Sequence, residues 1–260
     1  MNLAEVEACT ILKAIVGSHS LGLNVEGSDI DEMGICIEPI HEAVGLSAPF
    51  EQFVRTGPDA TRLRPDLQIY GLRKFLRLAL SGNPTILALL FIPSRDLLRL
   101  DATGSQLRDL RPQIVAKSAG KAFLGYMQAQ RMRLTGERGQ KGVRRQDLVE
   151  KHGFDTKYAM HVLRLGIQGV ELLQTGWISY PVPEPQRLYL LNVRSGGLSL
   201  QEVLTRAGEL EQELKDLLNG GSPLQENPDS GAVEQWMIRQ YLNRWKGAES
   251  PLFSSPFRST

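Results

Sequence analysis

The sequence Gly17-Ser18-His19-Ser20-Leu21-Gly22 is followed, after a short spacer, by Gly27-Ser28-Asp29-Ile30-Asp31. The first two glycines bound a turn, because glycine adopts backbone conformations that interrupt a helix or strand. From Ser28 onward, acidic and apolar residues alternate and then give way to a β-branched run, which predicts a strand over 28–37. Side chains two residues apart on a strand share a face. The pattern therefore places Asp29 and Asp31 side by side.

The neighbouring carboxylates of Asp29 and Asp31 repel each other and raise one pKa unless a cation lies between them. Hard cations prefer carboxylate oxygens, so the pair predicts a site for one or two Mg²⁺ or Mn²⁺ ions. The pair alone favours another interpretation, a solvated edge strand whose acidic face points at water. Exposed amides and a hydroxyl at Gly17 and Ser18 change that preference, because they suit a triphosphate. Together the motifs predict phosphoryl or nucleotidyl transfer.

This combined motif resembles the hallmark of the DNA polymerase β nucleotidyltransferase superfamily, a Gly-Ser turn followed by an Asp-x-Asp strand. The resemblance implies an α/β (α+β) fold with a small mixed sheet in the head and a helical C-terminal half. It also implies a third catalytic and metal-binding carboxylate on a neighbouring strand, and Asp66 in the predicted strand 65–70 is placed for it. The alternative for Asp66 is a turn aspartate after a proline. Asp59 is the competing third acid.

A closer resemblance, over roughly residues 15–175, is to the predicted nucleotidyltransferases found beside RNA ligases. Residues 66–91, 121–126 and 154–164 carry this resemblance. It implies that the helical half helps to hold the nucleotide. The candidate nucleotide-binding residues of the two halves are Gly17, Ser18, Ser28, Lys121, Asp155, Lys157, His161 and Arg164.

Three of these candidates share one face of a helix predicted over 154–175. Lys157, His161 and Arg164 follow the spacing i, i+4 and i+7, and they offer nitrogen donors to a triphosphate or an RNA backbone. The alternative for Lys157 and Arg164 is an ordinary solvated helix face. The alternative for His161 is a core histidine with one hydrogen bond.

Charge is distributed unevenly, although 30 Lys and Arg nearly balance 29 Asp and Glu. Residues 101–165 hold 13 of the basic residues and only 6 of the acidic ones, so the middle of the chain is cationic. A polyanionic ligand fits this distribution. A glycine-bearing loop in this block could grip an acceptor nucleic acid or close over the nucleotide, and its plain alternative is a flexible, soluble connection. The candidate acceptor-binding residues in it are Arg138, Lys141, Arg144 and Arg145.

The chain is predicted to contain a catalytic nucleotidyltransferase domain over 1–112, a helical nucleotide- and acceptor-binding domain over 113–247, and a disordered tail over 248–260. A helical pattern covers 3–15, and 45–64 is expected to be a loop. Further helices are predicted from residue 72, from residue 85, and over 113–135, 154–175, 199–219 and 231–246.

Several classes of protein are excluded by composition. No apolar segment reaches the roughly 20 residues that a membrane helix needs. Cys9 and Cys36 have no paired spacing, which argues against a disulfide scaffold and a cysteine zinc site. With no secretory leader apparent, the expected location is the cytoplasm.

The sequence thus predicts a metal-dependent nucleotidyltransferase of the EC 2.7.7 type that binds ATP or another NTP. It would move a nucleoside monophosphate to an acceptor hydroxyl and release pyrophosphate, with an RNA end, and hence RNA processing, favoured. A protein hydroxyl or a small molecule such as an aminoglycoside stays open as acceptor. The rival hypothesis is a catalytically silent nucleotide- or RNA-binding module that acts as a sensor or an antitoxin-like partner. Asp29, Asp31 and Asp66 speak against it, since a degenerate member would lose one of them first.

Overall fold

The computed structural model describes residues 1–56, 65–137 and 145–247. The strands are β1 Thr10–Val16, β2 Asp31–Cys36, β3 Gln52–Arg55, β4 Asp66–Gly71 and β5 Leu97–Leu100. The helices up to β5 and just after it are α1 Leu3–Ala8, α2 Gly17–Leu21, α3 Ile40–Val44, α4 Leu72–Leu80, α5 Pro84–Phe91, a 3₁₀ turn Ser94–Asp96, and α6 Ala102–Asp109. The later helices are α7 Arg111–Ile114, α8 Ala119–Leu134, α9 Gln146–His152, α10 Thr156–Thr175, α11 Gln186–Arg194, α12 Leu200–Asp216, a π-helical turn Leu217–Gly221, and α13 Ser230–Gly247.

The five strands form one mixed sheet in the order β3-β4-β2-β1-β5. β2 and β4 run parallel, whereas the other neighbouring pairs are antiparallel. In the parallel pair Asp31 lies opposite Asp66, and the register continues unshifted to Cys36 opposite Gly71. Residues that begin these two strands therefore lie at the same edge of the sheet. The predicted small mixed sheet and helical second half are both confirmed.

The strand β1 occupies residues for which the sequence predicts a helix. A capping box between Asn2 and Glu5 begins α1, and the helix ends at Ala8. Beyond Ala8 the prediction of one helix over 3–15 is wrong, because residues 10–16 are rich in β-branched side chains and lie mostly buried between β2 and β5. A strand buried on both faces shows no clean alternation, so its apolar residues also match a helical spacing.

Three further elements, β3, β5 and α11, differ from the prediction. β3 lies inside the predicted loop 45–64, and the sequence predicts neither β5 nor α11. β3 and β5 have four residues each, too few for a periodic signal. α11 begins directly after the proline-containing segment 180–185, which predicts extended chain. The predicted strand β4 and the helices α4, α5, α8, α10, α12 and α13 are confirmed, with bounds that shift by a few residues.

The C-terminal half is built on α8, α10 and α12, which pack side by side. A Cβ on Gly169 of α10 would press on Phe123 of α8, so this glycine permits the close approach of the two helices. One apolar core runs from the sheet into these helices. α13 returns to the head, where the Tyr241 hydroxyl donates a 2.8 Å hydrogen bond to the buried Glu38 carboxylate. A domain boundary at residue 112 stays a prediction.

Some predictions fall outside the described residues. These concern Asp59, the loop residues Arg138, Lys141 and Arg144, and the tail 248–260. Among the helices that the structure describes, none has the length and apolar character needed to cross a membrane.

Candidate active site

The glycine turn lies directly against the first acid of the sheet. β1 ends at Val16, whose Cα partner on β2 is Asp31, and α2 begins at the next residue, Gly17. Gly17 has a φ of 67°, and a Cβ there would overlap the Asp31 carboxylate. Glycine alone combines this conformation with so close an approach. Ser18 follows in the first turn of α2, so the predicted phosphate-binding turn begins directly against this acid.

Two neighbouring parallel strands bring the acids Asp31 and Asp66 to one edge of the sheet. The Asp66 N–H donates to the Ile30 carbonyl at 3.1 Å and fixes this register. Asp29 lies ahead of β2 on an exposed segment, so the prediction that it shares a strand face with Asp31 is wrong. The strand begins only where β4 and β1 can pair with it.

Electrostatic repulsion is concentrated at Asp31. Burial raises the pKa of this carboxyl, the neighbouring Asp66 and Asp29 raise it further, and Lys157 and His19 lower it. Acids held together in this way favour a cation that removes their repulsion. Asp31 thus interacts electrostatically with the other two predicted acids and with Lys157, a predicted nucleotide-binding residue.

The donor chemistry of the acids suits a divalent cation. Asp31 and Asp66 offer the hard carboxylate oxygens that Mg²⁺ and Mn²⁺ prefer. Within residues 1–56, 65–137 and 145–247, no three Asp, Glu, His or Cys side chains already converge into a metal-binding group. The sheet thus fixes two carboxylates, and the exposed Asp29 on the preceding segment is the third candidate ligand. The residues present fit the cation in donor type.

Hydrogen bonds fix the segment that precedes β2. Ser28 Oγ accepts the Val25 N–H at 2.9 Å, and the Ser28 carbonyl lies 3.2 Å from Nε2 of His19. Arg194, the last residue of α11, donates to the Leu23 carbonyl at 3.1 Å and reaches Ser28 Oγ at 3.5 Å. The described contacts make Ser28 a support of this segment, and its contact with a nucleotide stays a prediction.

Three cationic side chains of the helical half lie near the acids, and Arg145, Lys157 and Arg194 are hereafter the basic cluster. Burial lowers the pKa of Lys157, the two arginines lower it further, and Asp29 and Asp31 raise it. Like charges gathered in this way are stabilised by an anionic ligand. The basic cluster and the acids therefore provide the facing unlike charges that the sequence predicts.

Asp155 positions two members of the basic cluster. It is the N-cap of α10, and its Oδ1 accepts the N–H groups of Lys157 and Tyr158 at 3.0 Å each. Its Oδ2 pairs with Nη1 of Arg145 at 3.2 Å. Because Asp155 is only 4% exposed and both oxygens have protein partners, its described role is structural. Its predicted contact with the nucleotide stays a prediction.

A cavity of about 320 Å³ lies where the acids meet the helical half. Gly17, Asp31 and Asp66 line it from the head, and Arg164 and Tyr180 line it from the helical half. The basic cluster is not among the described residues that line this cavity. Arg164 is the one cation among the described residues that line it.

Arg164 is held by neutral groups. Its Nη1 donates to Gln168 Oε1 at 2.6 Å, and its Nη2 lies 2.8 Å from Nδ1 of His161. Burial lowers the pKa of the guanidinium, which nevertheless stays charged in proteins. Burial also lowers the pKa of His161 to about 3, so the imidazole is neutral and accepts the hydrogen bond. The described contact of His161 is with Arg164, and direct contact with a nucleotide stays a prediction.

Comparison with known protein families gives a match over nearly the whole chain. The sequence profile of the RNA repair pathway DNA polymerase beta family (RlaP) matches residues 2–245. The chain belongs to this family. The match covers the head and the helical half together, so both are parts of the RNA repair pathway DNA polymerase beta family architecture, and the predicted resemblance is confirmed.

Two further comparisons add little to the family assignment. No curated protein matches the sequence. A nucleotidyltransferase-like protein from Exiguobacterium sibiricum 255-15, solved by crystallography at 1.90 Å, is 12% identical over 95% of this chain and 77% of its own, with a TM-score of 0.30. A similarity this low has no weight for fold or function.

Two groups of predicted binding residues remain. Lys121 lies apart from the acids, and the four acceptor-binding candidates lie only in part among the described residues. Lys121 is exposed on α8 and is not among the described residues that line the cavity. Of the four acceptor-binding candidates, Arg145 is described, and it belongs to the basic cluster through Lys157 and Asp155. Roles for Lys121 and Arg145 in binding stay predictions.

Arg194 and Tyr180 are site residues that the sequence does not single out. Arg194 contacts a segment 166 residues earlier in the chain, and it ends a helix that the sequence does not predict. Tyr180 belongs to a proline-containing connector with no motif of its own. Neither residue has a local signal, because long-range packing alone brings it to the site.

Proposed function

We propose that this chain transfers a nucleoside monophosphate from an NTP to an acceptor hydroxyl and releases pyrophosphate. The observation that carries the proposal is the register of β2 and β4, which sets Asp31 opposite Asp66 against the turn at Gly17. Membership of a DNA polymerase beta family supports nucleotidyl transfer. The basic cluster adds a place for a triphosphate.

The chain's own residues divide the work of such a reaction. Asp31 and Asp66, joined by Asp29, would hold Mg²⁺ or Mn²⁺, which neutralises phosphate charge and favours ionisation of the acceptor hydroxyl. Gly17 and Ser18 hold the outer phosphates at the turn. Asp66 accepts the proton of the acceptor hydroxyl. The hydroxyl oxygen then forms a bond to the α-phosphorus as the bond to the bridging oxygen breaks.

The basic cluster binds the leaving pyrophosphate in this proposal. Arg145, Lys157 and Arg194 lie on the side of Asp29 and Asp31, and their mutual repulsion is relieved when the polyanion binds. Residues 1–112 would supply the chemistry and residues 113–247 the binding groups. No covalent enzyme intermediate is needed, because the acceptor attacks the nucleotide directly.

An RNA end is the acceptor we favour. The family is named for an RNA repair pathway, and the cationic middle of the chain suits an RNA backbone. The loop residues Arg138, Lys141 and Arg144 are proposed to contact that backbone, whereas Arg145, the fourth acceptor-binding candidate of the sequence, is assigned to the basic cluster. A protein hydroxyl or a small molecule is an alternative outcome of the test below.

The test is incubation of the protein with each labelled NTP, Mg²⁺ or Mn²⁺, and pooled RNA, protein or small-molecule acceptors. Labelled RNA and pyrophosphate are expected from the parent. A variant that carries both Asp29→Asn and Asp31→Asn serves to exclude contaminating activity, and Glu26→Gln, an exposed acid of the same segment, is the matched control. Tight NTP or RNA binding without any transfer by the parent would contradict the proposal and favour the silent binding module.

A further inference from the structure

A second cavity, of about 260 Å³, lies at the opposite edge of the sheet from the acids. Asp31 and Asp66 lie where β2 and β4 begin, whereas this cavity is lined by Glu38, which follows β2, and by α4, which follows β4. At about 3.3 Å per strand residue, the ends of the two strands lie roughly 16 Å from the acids. Among the described residues, the two cavities have no lining residue in common.

The α4 wall of the second cavity is cationic. It carries Arg73, Lys74 and Arg77. Lys74 pairs with one oxygen of Glu51 at 2.8 Å, and Arg77 lies 4.0 Å from the other oxygen of the same carboxylate. Within the described parts of the chain Arg73 forms no ion pair, although it is near enough to lower the pKa of Glu51. Three cations thus share one accessible carboxylate, and an anionic ligand suits this excess of positive charge.

The second carboxylate of the cavity, Glu38, is already occupied by the protein. It is 2% exposed, its Oε1 accepts the Tyr241 hydroxyl at 2.8 Å, and its Oε2 accepts the Leu72 N–H at 3.2 Å. Burial raises the pKa of this carboxyl. Because both oxygens have donors within the fold, Glu38 supports the cavity wall and leaves the three cations of α4 to face a ligand.

α13 gives the cavity an aromatic wall. The Trp245 indole N–H donates to the Glu38 carbonyl at 3.0 Å, and the Trp245 and Tyr241 rings pack with centroids 4.9 Å apart. The polar atoms of both rings are therefore engaged inside the fold, which fixes the orientation of the rings. Trp245 stays partly exposed and lines the cavity together with Phe50. Nucleic-acid bases stack on aromatic surfaces of this kind.

We propose that the second cavity binds one nucleotide unit, with its base on Trp245 and its phosphate on Arg73 and Arg77. Guanidinium groups match the paired oxygens of a phosphate in geometry and charge. The volume approaches the roughly 300 Å³ of the smallest ligand pockets. A free nucleotide and one nucleotide of an RNA strand offer the same chemistry. This site lies beyond the proposed transfer reaction and does not depend on it.

Tryptophan fluorescence tests the proposal on the full chain without a divalent cation. Of the three tryptophans, Trp245 lines this cavity, and none lines the first cavity. A base stacked on Trp245 is expected to quench its emission. AMP and a short oligoadenylate should therefore quench, and adenosine, which lacks the phosphate, should bind at least ~10-fold more weakly than AMP. Quenching at lower concentration by the oligoadenylate identifies RNA as the source of the nucleotide, and the reverse order identifies a free nucleotide.

Variants assign the two walls. Arg73→Met combined with Arg77→Met should raise the Kd for AMP about 10-fold, whereas Arg239→Met, an exposed arginine of α13 outside the cavity, should leave it unchanged. Trp245→Phe should abolish the quenching yet keep the affinity for a fluorescent AMP analogue within a few-fold, since an aromatic ring remains. Trp177→Phe, which replaces an exposed tryptophan outside this cavity, should keep the quenching.

The absence of quenching by both AMP and the oligoadenylate would overturn the proposal. An unchanged Kd in the double arginine variant would also overturn it, as would equal affinity for adenosine and AMP. If the double variant does not fold, the comparison of adenosine with AMP in the parent still decides. A parent that transfers nucleotides without this quenching retains the proposed function and loses the second site. A parent that shows the quenching but transfers nothing retains the second site alone.

Discussion

The acids of the head and the cations of α10 reach the same site by different routes. Asp31 and Asp66 lie opposite each other because two neighbouring strands pair in register. The sequence predicts both strands, and the family resemblance places Asp66 on the one beside Asp31. Lys157 and Arg164 share one helix, yet Lys157 lies among charged side chains, whereas Arg164 hydrogen-bonds to neutral ones. Local sequence thus fixes where the chemistry occurs, whereas the packing of distant segments determines what each cation can bind.

This difference has a kinetic consequence. Acids that act on the reacting atoms affect turnover, because they stabilise the transition state. Cations that hold the phosphates of bound substrates affect mainly substrate affinity. We therefore expect substitutions in the head to lower kcat and substitutions on α10 to raise KM for one substrate at a time.

The largest effect is expected for Asp31→Asn. The change preserves the shape of the side chain and removes its charge, so the fold should survive. Because charge stabilisation of a phosphoryl transition state is worth several kcal/mol, turnover should fall by at least ~100-fold. The loss of turnover is measured from initial rates with labelled NTP at several Mg²⁺ concentrations. Near-parent turnover in both Asp31→Asn and Asp29→Asn, with an unchanged metal requirement, would show that these acids are not catalytic.

Asp66→Ala distinguishes the acceptor side from the nucleotide side of the acids. Asp66 is assigned to the acceptor hydroxyl, so transfer should drop roughly 10- to 100-fold while the affinity for Mg-NTP stays within a few-fold of the parent. Asp31→Ala should lose both transfer activity and affinity for Mg-NTP. Calorimetric titration with a non-hydrolysable NTP gives the affinity. Equal loss of NTP binding in the two variants would contradict this division of roles.

Sequence alone predicts the half of the site that depends on short-range pattern. The turn at Gly17, the acid at Asp31 and the strand of Asp66 are all readable because each has a local motif, and the structure brings them together. The strand position of Asp29 is not readable, because the start of β2 depends on where β4 and β1 begin and end. The extent of a strand is set by its partners as much as by its own residues.

The cationic half of the site is predicted less completely. Helical spacing puts Lys157 and Arg164 on one face, but it does not reveal that one lies beside acids and the other in a cavity wall. That distinction depends on Arg194 and Tyr180, which α11 and the preceding connector bring in from far along the chain. Long-range contacts of this kind have no periodic signature in the sequence.

A smaller effect is expected for Lys157→Met. The side chain is partly exposed, so solvent screening reduces the loss, and the affinity for Mg-NTP should fall about 10-fold with little change in RNA affinity. Arg194→Met should act similarly and also loosen the segment that it holds at Leu23. Titrations with NTP and with RNA measure both affinities. Lys151→Met, an exposed lysine of α9, is the control.

The outcome for the basic cluster bears directly on the comparison between the two regions. A loss confined to NTP affinity supports separate sites for the nucleotide and the acceptor. An equal loss of RNA affinity in Lys157→Met would show that the basic cluster contacts both substrates.

The smallest effect concerns the stability of the fold. It tests whether His161, a hydrogen-bond partner of Arg164, is neutral in the folded chain. The pKa of His161 is about 3 in the folded chain, against about 6.5 when unfolded. Between these values the unfolded chain binds more protons, so the contribution of His161 to folding is complete above pH 6.5 and is lost as the pH falls toward 3. The free energy of unfolding should therefore fall by up to about 1.4 kcal/mol per pH unit in this window because of His161.

His161→Asn should remove that contribution while it keeps an oxygen acceptor for Arg164. Urea unfolding at pH 6.5, 5.5 and 4.5 gives the change of the unfolding free energy with pH. In His161→Asn this change is expected to be smaller than in the parent, by the amount that corresponds to about one bound proton. His41→Gln, at an exposed position of α3, is the matched control variant. If His161→Asn retains the full change with pH, the imidazole is protonated alongside Arg164 in the folded chain. Two positive charges would then line the wall, and the neutral environment that distinguishes Arg164 from Lys157 would not exist.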